Sequence, residues 1–199
     1  MVRELSNDAA LRGKVIPLAF HVDYWDRLGW RDPFSSPDWS HRQSFYVRAL
    51  RLPSGYTPQM VVNGARQFVG SNAHALDAAL VEESRQAPFG SVRVTASRDS
   101  VLHVAVIANV ARTEPTDVML AVVENGISTK VMGGENGGMT IDDEAVVRKL
   151  IRVGTGSTAM NVAIALDKSW NPARLGVVAF LQDRKTLAIR GASAVAPSS

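Results

Sequence analysis

The sequence predicts an α/β first half followed by an all-β second half, and two patterns carry that expectation. Up to about Gln86, segments with helical and strand spacing alternate, as in α/β units. From Ser91 onward apolar residues recur with period two, at Val92/Val94/Ala96, Leu102/Val104/Val106/Ala108, Val118/Leu120/Val122, Met160/Val162/Ile164, Val177/Ala179/Leu181 and Leu187/Ile189. One-faced stripes separated by turn residues indicate half-buried strands, and a succession of them predicts a β-sandwich. The change falls at Gln86-Ala87-Pro88-Phe89-Gly90, so residues 1–87 and 91–195 are expected to form two domains.

Met1 to Arg12 carries Leu5, Ala9 and Leu11 on one side and polar residues on the other, which predicts the back half of a helix. Val15 to Val22 is a mostly apolar strand, with Pro17 suited to an edge position. Pro37 to Leu50 is a helix, because Ser36 can cap it and Pro37 sits at the first helical position, where a missing N–H is harmless. Tyr56-Thr57-Pro58 then leads into the short apolar run Gln59-Met60-Val61-Val62, with the Thr57–Pro58 bond expected cis, a form that proline tolerates in tight turns. Asn63-Gly64 supplies the positive-φ pair of a two-residue hairpin turn, and Gln67-Phe68-Val69 is the returning strand. Ser71 is placed to cap a helix over Asn72 to Glu83. In the second half, Asn125-Gly126 reads as another hairpin turn, Gly133 to Gly138 as a flexible loop, and the small residues after Ala192 as a fraying tail.

A proline-led hairpin followed by a helix is the second half of a thioredoxin fold, whose first half would carry a Cys-x-x-Cys pair. The chain has no cysteine. The stretch from Val15 through His21-Val22-Asp23-Tyr24-Trp25-Asp26 is followed by Gly29-Trp30, Asp32-Pro33-Phe34-Ser35 and Tyr56-Thr57-Pro58-Gln59-Met60-Val61-Val62. With Glu124-Asn125-Gly126 and Gly134-Glu135-Asn136-Gly137-Gly138, it resembles an uncharacterised bacterial family of exported thioredoxin-like proteins, a domain of unknown function. The resemblance covers nearly the whole chain. It implies a signal peptide and a strand ending in the cysteine pair upstream of a helix already under way at Met1 to Leu5. Both are absent here, so the thioredoxin-like part is expected to be incomplete and to lack its central strand. A truncated N-terminus is the favoured explanation, and a genuinely shortened protein the other.

His21, Asp23, Tyr24, Trp25 and Trp30 lie at the end of the Val15 to Val22 strand, where open α/β sheets gather their ligand loops. With Tyr56, Thr57 and Pro58 they form the candidate substrate groove. In one reading His21 or Asp23 tunes a thiolate and the tryptophans wall the groove. In the other, the tryptophans anchor loops and the acids cap turns. The resemblance to thioredoxins implies that the residue before Pro58 offers backbone hydrogen bonds to an extended peptide.

Other chemistries find no motif. His21 and Asp23 share a strand face, but two ligands do not make a metal site, and His41, His74 and His103 sit in separate elements. No Gly-Lys-Ser/Thr follows the glycine-rich loop, and no Gly-x-Ser-x-Gly elbow occurs. No cofactor is implied. The 22 Lys and Arg residues offset 19 Asp and Glu to leave +3, without a basic cluster, which argues against nucleic acid as a partner. No apolar run approaches the roughly 18–20 residues of a membrane span, and no signal peptide is present, although the resembling family is periplasmic or secreted. Two function classes remain: thiol–disulfide exchange in a full-length form, with this cysteine-free chain inactive as an oxidoreductase, or a non-catalytic module that binds an extended peptide or an envelope protein.

Overall fold

The computed structural model describes residues 5, 11, 13–134 and 137–198. Most of the helix expected over Met1 to Arg12, and Glu135 and Asn136 of the glycine-rich loop, therefore lie outside the described residues.

Ser36 caps helix α1 (Pro37–Ala49), its hydroxyl accepting the Asp38 N–H, with Pro37 in the first turn. Strands β1 (Gln59–Val62) and β2 (Arg66–Val69) form an antiparallel hairpin. Its connection is Asn63-Gly64-Ala65, one residue longer than the two-residue turn that Asn-Gly predicts, because Val62 pairs with Arg66. Asn63 and Gly64 both have positive φ, 49° and 66°. Helix α2 (Ala73–Ser84) is capped by Asn72 rather than Ser71: the Asn72 Oδ1 accepts the Ala75 N–H at 3.0 Å. Leu5, Val62, Leu76 and Ala79 pack together between hairpin and helix.

The second half holds strands β3 (Gly90–Arg98), β4 (Val101–Val110), β5 (Thr116–Glu124), β6 (Ile127–Lys130), β7 (Thr140–Asp143), β8 (Val146–Thr155), β9 (Thr158–Ala165), β10 (Leu175–Asp183) and β11 (Ile189–Val195). They form a three-stranded sheet β3-β4-β9, a four-stranded sheet β11-β10-β5-β8 and the separate pair β6-β7. The two larger sheets pack face to face over Leu102, Val104, Val106, Val118, Leu120, Val122, Val177 and Leu181. The opposite face of the four-stranded sheet is also covered: Trp39 of α1, with Ile16, Leu18 and Phe20, packs on Ala121, Val123, Val147, Val178 and Phe180. A mixed, β-rich α/β fold results, in which β5 and β10 are buried on both sides.

Three further expectations are corrected. Val15 to Val22 is not a regular strand. Ala19 alone bridges the outer edge of β8, its N–H donating to the Ala145 carbonyl (2.8 Å) and its carbonyl accepting from Val147 N–H (2.9 Å). Pro17 has no N–H to extend the ladder one way, and at the other end the His21 carbonyl is taken by Ser36 N–H. Asn125-Gly126 does not close a hairpin, since β5 pairs with β8 and β10 while β6 pairs with β7. Asn125 instead accepts the Ala145 N–H through its side chain and donates its own N–H to the Arg174 carbonyl. The tail after Ala192 is paired: β11 runs to Val195, and Ser198 exchanges backbone hydrogen bonds with Ala96 and Arg98.

Candidate functional site

Five of the eight groove residues come together. Trp25 Nε1–H donates to the Thr57 hydroxyl at 2.9 Å, joining the loop after residue 22 to the loop before β1. The Tyr24 and Trp25 rings lie 5.4 Å apart, tilted. Gln43 of α1 ties the group together: its Oε1 accepts from Tyr24 O–H (3.0 Å), and its Nε2 donates to the Tyr56 carbonyl (2.8 Å) and to Gln59 Oε1 (3.0 Å). Tyr56 O–H donates to Gln67 Oε1, and burial pushes the phenol pKa above its ordinary value. The Thr57–Pro58 peptide is cis, and the Pro58 carbonyl accepts the Gly70 N–H at 2.8 Å. Trp25 remains 49% exposed in this frame. A surface depression of about 540 Å³ is lined by Tyr24, Ser40, Gln43, Val47 and Gly55, without Trp25 or the residues of the Pro58 turn.

The other three groove residues point elsewhere. Asp23 is a tie to α1, its N–H donating to the Ser40 hydroxyl (3.1 Å) while that hydroxyl donates to its carboxylate. Trp30 sits against the glycine-rich loop: a side chain on Gly134 would meet Trp30 Cβ at 3.6 Å and the Leu28 carbonyl at 3.0 Å. A Cβ on Gly133 would approach the Gly29 carbonyl to 2.7 Å, so glycine there permits backbone to lie on backbone.

His21 faces Asp32, with Nδ1 at 2.6 Å from Oδ2, and its Nε2 lies 4.0 Å from Asp143 Oδ1 at the end of β7. Its ring meets Phe34 edge-on at 5.6 Å, and Arg148 of β8 covers the Phe34 ring at 5.0 Å. Burial alone pulls the imidazole pKa down, but the hydrogen bond and charge of Asp32, with Asp143, outweigh it and leave His21 above its ordinary value. Burial works upward on Asp32, yet the hydrogen bond and charge of His21 and the Phe34 N–H hold it below the ordinary carboxylate value. The pair is therefore an ion pair in the window between the two titrations. The His21 contribution is complete below the imidazole's unfolded value of 6.5 and is lost as pH rises through the higher folded value. Thermal midpoints of wild type and His21→Asn should accordingly differ most just below pH 6.5 and converge as pH rises through the raised folded value. A difference independent of pH would show that the imidazolium adds no stability.

Asp32, Gln43, Ser40 and Asp143 were missed by sequence reasoning. Asp32-Pro33 offered a turn signal, but nothing local could reveal Asp143, which arrives on a separate hairpin. Among the described residues no group of three or more His, Cys, Asp or Glu could hold a metal ion.

A family model described as "Protein of unknown function (DUF1223)" matches residues 1–182. The chain belongs to the DUF1223 family. A crystal structure of an Agrobacterium tumefaciens protein superposes on this DUF1223 chain with a TM-score of 0.74 at 24% identity, covering 98% of this chain and 84% of that one. HBP35 of Porphyromonas gingivalis superposes with a TM-score of 0.63 at 13% identity, covering 81% of this chain and 58% of that one. At these identities the likeness is one of fold. No curated protein matches the DUF1223 chain.

Proposed function

We propose that this chain is a non-catalytic binding module, with a thioredoxin-like N-terminal part, that takes an extended peptide segment along Trp25, Tyr56, Thr57, Pro58 and the outer side of β1. The Trp25–Thr57 hydrogen bond carries this reading, because it fixes a half-exposed aromatic ring beside a strand end. Among the described residues β1 pairs with β2 alone, so its other side offers N–H and C=O groups to an incoming strand. Tyr24 and the Gln43 network hold the wall in place before any ligand arrives, which reduces the ordering cost of binding. An exported or envelope protein is the partner that the family resemblance suggests. Thiol–disulfide exchange has no support in these 199 residues, which contain no cysteine to supply an attacking thiolate.

Reduced, carboxymethylated α-lactalbumin is a suitable extended probe, followed by tryptophan fluorescence or calorimetry. Saturable binding is expected, with Trp25→Ala weakening it by about thirtyfold, the effect of losing an aromatic anchor worth about 2 kcal/mol. Thr57→Val should weaken it less, since the ring remains but loses its anchor. Equal affinities for wild type and Trp25→Ala, or no saturable binding, would sink the proposal.

A further inference from the structure

We propose that the outer edge of β9 is a self-association surface, through which two copies of this chain pair antiparallel to join their three-stranded sheets into one. The starting observation is an asymmetry among the edges of the two packed sheets. The edge of β3 is approached by β11 and the C-terminal segment, through Phe89 N–H to the Arg190 carbonyl and the Ser97–Ser198 bridge. The edge of β8 receives Ala19. At β9, by contrast, β4 is the sole strand partner among the described residues.

Edge strands in stable monomers carry charges, prolines or bulges that discourage further pairing. The stretch Gly156-Ser157-Thr158-Ala159-Met160-Asn161-Val162-Ala163-Ile164-Ala165-Leu166 has no charged residue and no proline. The β9–β4 register runs without a shift from Thr158 to Ala165, so the strand has no bulge. Ala159, Asn161, Ala163 and Ala165 are exposed and small, while Val162 and Ile164 face the core.

A second copy is the occupant these features fit. A two-fold axis perpendicular to the sheet keeps each face of the strand on its own side, so it must pass midway between one residue and its own copy in the second strand, with Asn161, Val162 or Ala163 closest to the strand's middle. In all three registers neutral side chains lie opposite neutral side chains, so like charges never oppose the contact. One strand pair lies at the low end of interface size, below about 1,200 Å², so the dimer is expected to be reversible and concentration-dependent.

The test is sedimentation equilibrium of the full chain and of three double variants. Asn161→Lys/Ala163→Lys places two lysines directly opposite each other whichever of the three residues marks the axis, and should raise the dimer dissociation constant about tenfold or more. Asn161→Glu/Ala163→Glu should do the same, and mixing these two variants should restore dimers through opposite charges. Asn161→Thr/Ala163→Thr, neutral and strand-favouring, should stay dimeric. Both positions are exposed, so folding is expected to survive, checked by circular dichroism and thermal midpoint. A wild type that is monomeric at millimolar concentration overturns the proposal, as does a dimer unaffected by the lysines or not restored by mixing.

Discussion

Trp39→Ala is expected to lower the unfolding free energy by about 3–5 kcal/mol, as for a large aromatic removed from a packed core. Trp39 is 9% exposed, meets Phe20 edge-on with centroids 5.1 Å apart, and fills the face made by Ala121, Val123, Val147, Val178 and Phe180. Losing it frees α1 from the sheet, and α1 carries Ser40 and Gln43, which hold Asp23, Tyr24 and Tyr56. Urea unfolding should therefore show an earlier midpoint, and affinity for the α-lactalbumin probe should fall even though Trp39 is outside the groove. Trp39→Phe, keeping an aromatic ring against Phe20, should recover much of both. A loss under about 1 kcal/mol would mean that α1 is anchored by something else.

Arg112→Met should cost about 3 kcal/mol by stranding a buried carboxylate. Arg112 Nη2 lies 2.8 Å from Asp183 Oδ2, and its guanidinium stacks over Phe89 at 4.1 Å. Phe89 belongs to the connection between the two halves of the chain, and the Arg190 guanidinium also lies 5.8 Å from its ring while donating to Gln86. Burial raises the Asp183 pKa, but hydrogen bonds from Thr186 and Lys185 and the charge of Arg112 hold it below its ordinary 3.8. A depressed folded value means that this stabilisation is present above the unfolded pKa and lost as pH falls through the folded one. The gap between wild type and Arg112→Met should therefore be full at neutral pH and shrink in acid. Adding Asp183→Asn to Arg112→Met should recover most of the loss at neutral pH; no recovery would mean that Arg112 acts by packing on Phe89.

The parts legible in the sequence are those whose partners lie close along the chain or whose pattern is regular. Ser36-Pro37 marks the start of α1, the Pro58-to-Val69 stretch gives the β1–β2 hairpin, and period two gives β3, β4, β5, β9 and β10. Strand β8 was not legible, because its pairing with β5 skips Arg148 and Val153 at two bulges, which shifts the side-chain alternation along Val146–Thr155. The one-faced stripes also hid the burial of β5 and β10 on both sides, which arises because α1 covers the second face. At the site, Trp25, Tyr56 and Thr57 were identifiable as residues, but their mutual hydrogen bonds through Gln43 were not. The pairing of His21 with Asp143 was beyond reach, since it depends on where the β6–β7 hairpin comes to rest.

The strand order β11-β10-β5-β8 also governs the sequence of events during synthesis. The surface on which α1 rests is built from β5, β8 and β10, and Val178 and Phe180 emerge from the ribosome long after Trp39. Until then the helix has no floor, and neither hydrophobic face of β5 is fully roofed. Closing these distant pairings is slow, because the entropy of long loops must be overcome before the contacts that reward it exist. The nascent chain therefore displays Trp39 for most of its elongation, and a two-sided apolar strand from the synthesis of β5 until that of β10, a period in which a holding chaperone has something to grip.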